Sequence, residues 1–161
     1  MGLSIPRSWL TGALLTLPMS AVCADLSPLQ TIERLHEAMF EADAATAGAL
    51  LHAAYHGVSL QGPPDHRHVY LETRSKAVSD IARLQPAEWQ IRFLKTNSEV
   101  DTNGMAHVWA RYVFYYKGVA NHCGYESYGL FRADGDWKII SFGDTDNALK
   151  GRRVDDVCPD Q

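Results

Sequence analysis

Apolar positions recur at helical spacing in the first half of the chain and at strand spacing in the second. Ser27 followed by Pro28 reads as a helix cap with proline in the first turn, and Leu29, Ile32, Leu35, Met39 and Phe40 then mark one helical face. A second helix is predicted over residues 44–54, with Asp43 as its cap and Leu50 and Leu51 as its apolar side. GVSLQGPPDHR gives a brief strand and a breaker-rich loop. A third helix is predicted over residues 73–84, where Ala77, Ile81 and Leu84 share a face and Pro86 stops it. From Trp89 the period is two. EWQIRFLKTNSEV, MAHVWARYVFYYKG, NHCGYESYGLFR and WKIISFGDT read as four strands joined by turns, including DTNG and ADGD. Helices followed by an antiparallel meander predict an α+β domain. No internal repeat, low-complexity segment or linker divides it.

Strand alternation predicts what faces inward. In the long strand Ala106, Val108, Ala110, Tyr112, Phe114 and Tyr116 share the core side. His107, Trp109, Arg111, Val113, Tyr115 and Lys117 share the other, a mixed face suited to solvent or a subunit contact. In the next strand, Tyr128 and Leu130 belong inward by apolarity and carry Glu126, Gly124 and His122 with them. Cys123 then points outward.

The N-terminus adds a compartment. Arg7, an apolar stretch over residues 9–17 and small residues up to Ala24 have the order of a secretory signal peptide cleaved after Ala24. A lipid anchor at Cys23 is the alternative. The apolar stretch is too short for a membrane span, which takes about 20 residues. This predicts a mature domain over residues 25–161 in the periplasm or outside the cell. Cleavage removes one arginine and no acid, so the net charge of −4 becomes −5. A mildly acidic chain without a basic run argues against nucleic acid and anionic membranes as partners. At 46% hydrophobic residues it can bury a substantial core.

Export also bears on the cysteines. Cys23 leaves with the leader, and Cys123 and Cys158 remain; two thiols in an oxidising compartment make one disulfide. It would fix the tail VDDVCPDQ to the strand holding Cys123. A catalytic thiolate at Cys123 is the sharper alternative, but it is hard to keep reduced after export.

The residues Ala106-x-Val108-Trp109-Ala110-x-Tyr112-x-Phe114, His122-Cys123-Gly124, Tyr128, Leu130 and Asp134-Gly135-x-Trp137-Lys138-Ile139 resemble the nuclear transport factor 2-like superfamily. That superfamily includes SnoaL-like cyclases and ketosteroid isomerases, and the exported members the chain looks closest to are DUF4440-like or lumazine-binding in type. The resemblance implies a cone-shaped fold with N-terminal helices packed on a curved sheet, and commonly a homodimer formed through the sheet's outer face. Here Trp109, Tyr115 and Arg111 would supply that face. Carried over by position, the isomerase's tyrosine donor falls near Leu35, its base near Ser59 and its oxyanion-side acid near Glu126. Leucine cannot donate a hydrogen bond and serine is not a base at neutral pH, so the resemblance does not carry ketosteroid isomerisation with it. An epoxide-hydrolase arginine–aspartate set has no clear match either, since Arg111 is on the outward face.

The candidate site is therefore an apolar pocket lined by Tyr112, Phe114, His122, Glu126 and Tyr128. A carboxylate on an apolar concave face must be paired, solvated or protonated. The expected function is an exported binding protein for a small apolar or amphipathic molecule, without a cofactor. The alternatives are a cofactor-free lyase or isomerase using Glu126 and His122, and a non-catalytic interaction module. His52, His56, Asp65, His66 and His68 include an H-x-H pair, but beside Pro63-Pro64 and with no third ligand at fixed spacing they read as polar loop residues, not a metal site. Asp144-Thr145-Asp146 reads as a polar cluster at a strand end. No phosphate-binding loop or Ser–His–Asp order occurs.

Overall fold

The computed structural model describes residues 26–63 and 65–160. The predicted leader and Cys23 lie outside them. Helix α1, Pro28–Glu41, begins at Ser27, whose side chain accepts from the Gln30 amide while the Gln30 side chain accepts from the Ser27 amide. That reciprocal capping box satisfies two amides that a helix start otherwise leaves open. Ile32, Leu35 and Ala38 are its buried stripe, and Ala42 in the left-handed region ends it. Helix α2, Ala44–Leu50, is capped by Asp43, which accepts from the amides of Ala45 and Thr46.

The second helix is four residues shorter than its alanines predict. Leu51 turns extended and opens strand β1, Leu51–Gln61, which buries Leu51, Tyr55 and Gly57. Helix propensity is a weak preference, and pairing with a core strand overrides it. The segment expected to be loop also pairs: β2, His68–Thr73, runs antiparallel to β1 from Gln61↔His68 to His56↔Thr73. It is an exposed edge strand, so it lacks the buried alternation that would mark it in sequence. Helix α3, Arg74–Ile81, starts after its cap Thr73 and stops three residues before Leu84.

Strands β3 (Trp89–Val100), β4 (Met105–Tyr116), β5 (Val119–Ala133) and β6 (Asp136–Ala148) form the expected meander, with β6 running three residues past the predicted end at Thr145. The sheet has six strands in the order β2-β1-β6-β5-β4-β3. All neighbours are antiparallel except β1 and β6, which are parallel. The first strand thus pairs with the last inside an open sheet edged by β2 and β3, and the helices cover one face. Ile32, Leu35, Leu51, Ile81, Val108, Tyr128, Leu130 and Ile139 are central members of the core between them.

The opposite face is not left to solvent throughout. The tail forms a short helix α4, Val154–Val157, and Cys158 is joined to Cys123 by a disulfide. Val113, Cys123, Leu149 and Cys158 make a second small core there. Arg111, expected on an open or subunit-facing surface, lies under this tail. It is 6% exposed, and its Nε donates to the Cys158 carbonyl at 2.8 Å and its Nη2 to Asp155 at 2.7 Å. Arg111 does point away from the helices, as the alternation of β4 predicts; the tail covers that outer side.

Candidate functional site

Sheet register assembles the site. The pairing Ala110↔Glu126, Glu126↔Asp144, Ser59↔Asp144 and Ser59↔Tyr70 sets one lateral row across five strands. The next row runs Val108, Tyr128, Phe142, Gly57 and Glu72. Alternation puts both rows on the helix side. Together with Met39 of α1 and the start of β3 they enclose a cavity of about 450 Å³, within the range typical of small-molecule sites. Trp89, Ile91, Tyr70, Phe114 and Phe142 form apolar and aromatic wall; Glu126, Asp144, Glu72, Asp146 and His122 supply polar groups. A narrower extension of about 80 Å³ runs toward Leu35, Tyr55 and Tyr128.

Glu126 sits at the base, 2% exposed. Its Oε2 accepts from Tyr128 Oη at 3.0 Å, and Tyr128 Oη also meets His36 Nε2 at 2.8 Å. Burial pushes the Glu126 carboxyl up to about 8; the Tyr128 bond pulls the other way, and the charge of Asp144 adds to the rise. His36 is driven down to about 3 by burial alone, so it is a neutral imidazole. The three groups form a relay with two proton arrangements. When Glu126 is ionised, Tyr128 donates to it and accepts from His36. When Glu126 is protonated, the sense reverses and His36 accepts.

Asp144 lies directly across from Glu126. Its Oδ2 accepts from Tyr112 Oη at 2.9 Å, while its Oδ1 is buried without a hydrogen-bond partner. Burial raises its pKa, against the hydrogen bond of Tyr112. Glu72 is raised mainly by burial and is partnered by Tyr55 Oη at 3.0 Å. His122 stacks on Phe114 with centroids 4.6 Å apart, and its Nδ1 lies 3.7 Å from Asp146 and 3.0 Å from Asn121 Oδ1. Burial lowers it to about 4.

Tyr112, Phe114, His122 and Glu126 line the cavity, and Tyr128 lies beneath Glu126 in the narrower extension. His122 and Glu126 share the face but make no hydrogen bond; the acid beside His122 is Asp146, and the charge of Asp144 also acts on it. Sequence reasoning missed Glu72, Tyr70 and Ser59, because neither β2 nor the full length of β1 shows in the local pattern. It also missed His36, although that residue falls one helical turn after Ile32 on the buried stripe. Asp144 falls inside the predicted last strand but reads only as part of a strand-end cluster; the register of β6 on β5 puts it opposite Glu126. None of His52, His56, His66 and His68 lines the cavity. His52 packs edge-on against Phe131, and His66 is exposed beside Asp65. Among the described residues no three His, Cys, Asp or Glu side chains converge as metal ligands.

No protein-family model matches the sequence. No curated protein matches it significantly. Solved structures do match. The association domain of C. elegans CaMKII aligns at TM-score 0.56 and 14% identity over 72% of this chain and 90% of its own. A proposed dehydratase of the nuclear transport factor 2-like family from Streptomyces avermitilis aligns at 0.54 and 16%, again over 72% and 90%. A nuclear transport factor 2-like protein of unknown function from Shewanella baltica aligns at 0.52 and 12% over 73% and 89%. At these identities the likeness is one of fold. The chain has the nuclear transport factor 2-like fold, with helices on one face of an open, mixed six-stranded sheet.

Proposed function

We propose that the protein is a small-molecule-binding protein, exported after cleavage of its leader, whose ligand occupies the cavity above Glu126. The observation that carries this reading is the cavity itself: about 450 Å³, walled by aromatic side chains, with buried carboxyls at its base. A cleft of that size with aromatic walls and a few polar groups suits a small molecule. Export is supported by the Cys123–Cys158 disulfide, which suits an oxidising compartment, and no helix among the described residues is long and apolar enough to cross a membrane. Native mass spectrometry of residues 25–161 recovered from a bacterial periplasm tests the reading. A discrete adduct that Phe142→Trp, which fills the cavity, abolishes is the expected result; a wild-type protein without adduct, together with no response of Trp89 fluorescence to a ligand panel, would overturn it.

A second reading is proton-transfer catalysis of the lyase or isomerase sort. Glu126, poised near neutral pH and linked through Tyr128 to His36, favours it, with Asp144 in the place first expected of His122. The Streptomyces structure is described as a proposed dehydratase of this fold, which adds to the case by analogy. Turnover that rises and falls with the protonation of Glu126, and is lost in Glu126→Gln, separates an enzyme from a carrier.

Assembly into a homodimer is proposed through the outer face of β4 and β5, where Trp109 stacks on Tyr125 with centroids 4.9 Å apart. The CaMKII structure is an association domain, and it shares this fold.

A further inference from the structure

Glu126 and Asp144 stand opposite one another on neighbouring strands, and among the described residues no lysine or arginine lines the cavity they face. Two acids in that relation repel, and interior burial makes the repulsion worse. Of the basic side chains that act on the cavity acids, Arg67 is engaged with the Leu60 carbonyl and Asn147 Oδ1, and Lys76, which acts on Glu72, is paired with Asp80. The acids also retain unused acceptors. Glu126, almost wholly buried, lines the cavity; its Oε2 is bonded to Tyr128, and among the described residues nothing donates to Oε1. Asp144 Oδ1 is likewise buried and unpartnered.

Resting on the binding reading above, we propose that the ligand is an organic ammonium ion, a protonated primary or secondary amine. Its N–H groups would meet the carboxyls of Glu126 and Asp144, both of which line the cavity, and its apolar body would lie against Phe142, Phe114 and Trp89. The carboxyl oxygens accept and cannot donate once ionised, which selects a ligand rich in donors. A cation restores charge balance between the acids, and aromatic faces favour it further. A bare metal ion would leave the aromatic walls unused, and the acids do not converge at ligand distances. A carboxylate or phosphate would add to the repulsion.

The ammonium ion competes with the proton that Glu126 otherwise holds. Its binding is therefore expected to strengthen as pH rises toward about 8, by up to one proton per ligand, while the amine itself stays charged. The groups facing Glu126 are Asp144 from β6, Tyr112 from β4, Tyr55 from β1, His36 from α1 and Tyr128 from its own strand. His36 is already neutral below this window, and burial holds all three phenols protonated above it.

The test is titration of the mature protein with 2-phenylethylamine, 2-phenylethanol and 3-phenylpropionate, followed by Trp89 fluorescence with Trp89→Phe as the signal control. The amine should bind more tightly than the alcohol by at least about tenfold, and the acid should not compete. Glu126→Gln and Asp144→Asn should each weaken the amine by about tenfold or more and reduce its preference over the alcohol, and Glu126→Gln should flatten the pH dependence. Circular dichroism of both variants checks that the fold is intact. Equal or tighter binding of the alcohol or the acid would overturn the ammonium proposal and leave the binding reading standing. Absence of binding by all three also overturns it, and the native mass measurement then decides the binding reading separately.

Discussion

Glu126 and Asp144 are directly opposed across the β5–β6 ladder, and each keeps one carboxyl oxygen that no hydrogen bond from the described residues satisfies. Most sheets avoid like charges in that relation. Here the fold tolerates the pair by keeping Glu126 protonated through most of the neutral range, with a carboxyl pushed up to about 8. The acid is thus a proton store whose state the cavity's contents can change.

That store makes stability pH-dependent in a direction that can be stated. Glu126 has an ordinary value of 4.5 and a folded value of about 8, so the folded chain binds the proton more tightly. The stabilisation is complete below pH 4.5 and is lost as pH rises through 8. Glu126→Gln keeps the neutral shape and removes the titration. Thermal melts should find the variant more stable than the wild type above pH 8, by of order 1–4 kcal/mol, the two converging in mild acid. His36 acts oppositely, giving stability that is lost as pH falls below its ordinary value of 6.5 toward about 3, outside the alkaline window. A difference that does not grow with pH would refute the proton store.

The relay through Tyr128 predicts a second outcome. Tyr128→Phe removes the donor to Glu126 Oε2 and the partner of His36 Nε2 at once. Leaving two buried polar groups unpaired should cost about 1–3 kcal/mol in urea unfolding. Because the Tyr128 bond is what pulls the Glu126 carboxyl down, its titration should also move further up. Carboxyl carbon NMR of the variant reads that shift, and an unmoved Glu126 resonance would mean that the hydrogen bond is not formed in solution.

Much of this architecture is legible in the amino-acid pattern. The capped start of α1 at Ser27-Pro28 and the two-residue period from Trp89 identify themselves, because caps and alternation are local signals. The same alternation assigns Tyr112, Glu126 and Tyr128 to one face. What the pattern does not reveal depends on distant pairing. Ala53 and Ala54 look helical, but they lie in the irregular stretch of β1 between its parallel pairings with β6 at Leu51 and at His56. Val69, Tyr70 and Leu71 lie on an exposed edge and carry no burial pattern. Since those two strands deliver Ser59, Tyr70 and Glu72, much of the cavity wall is invisible to local reasoning. Alternation places Arg111 on the correct side but without the tail that covers it, a contact made with residues 44 and 47 positions later.

Gly124 supports a third prediction. It lies between His122 and Glu126 on the cavity face, where a Cβ would stand 1.6 Å from the Thr145 carbonyl oxygen. That oxygen belongs to β6 backbone, and the strand cannot yield without displacing Asp144 next to it. Gly124→Ala should therefore destabilise by more than about 2 kcal/mol and disturb the Glu126–Asp144 register together. Gly118→Ala, at a turn with open space around it, is the control; it has a positive φ of 77° and should cost only about 1 kcal/mol. Urea midpoints of the two variants compare them, and equal losses would contradict the close approach of β5 and β6.

The tail provides the last prediction, because its two anchors are chemically independent. The disulfide closes a loop of 35 residues between Cys123 and Cys158, which corresponds to about 3–4 kcal/mol of unfolded-state constraint. Arg111 holds the same tail from beneath through the Cys158 carbonyl and Asp155, and its guanidinium is buried. Replacing both cysteines with serine should lower stability by about that amount. Hydrogen exchange should then rise in residues 149–160, while the amides of Glu126 and Asp144, on the opposite side of the sheet's packing, stay protected. Arg111→Met should loosen the tail with the disulfide intact, since it removes the bond to the Cys158 carbonyl as well as the ion pair. In the wild type neither thiol should react with an alkylating reagent until a reductant is added, as read by intact mass. If the tail stays protected in the double-serine variant and is released only when Arg111 is also replaced, the ionic anchor rather than the crosslink holds it to the sheet.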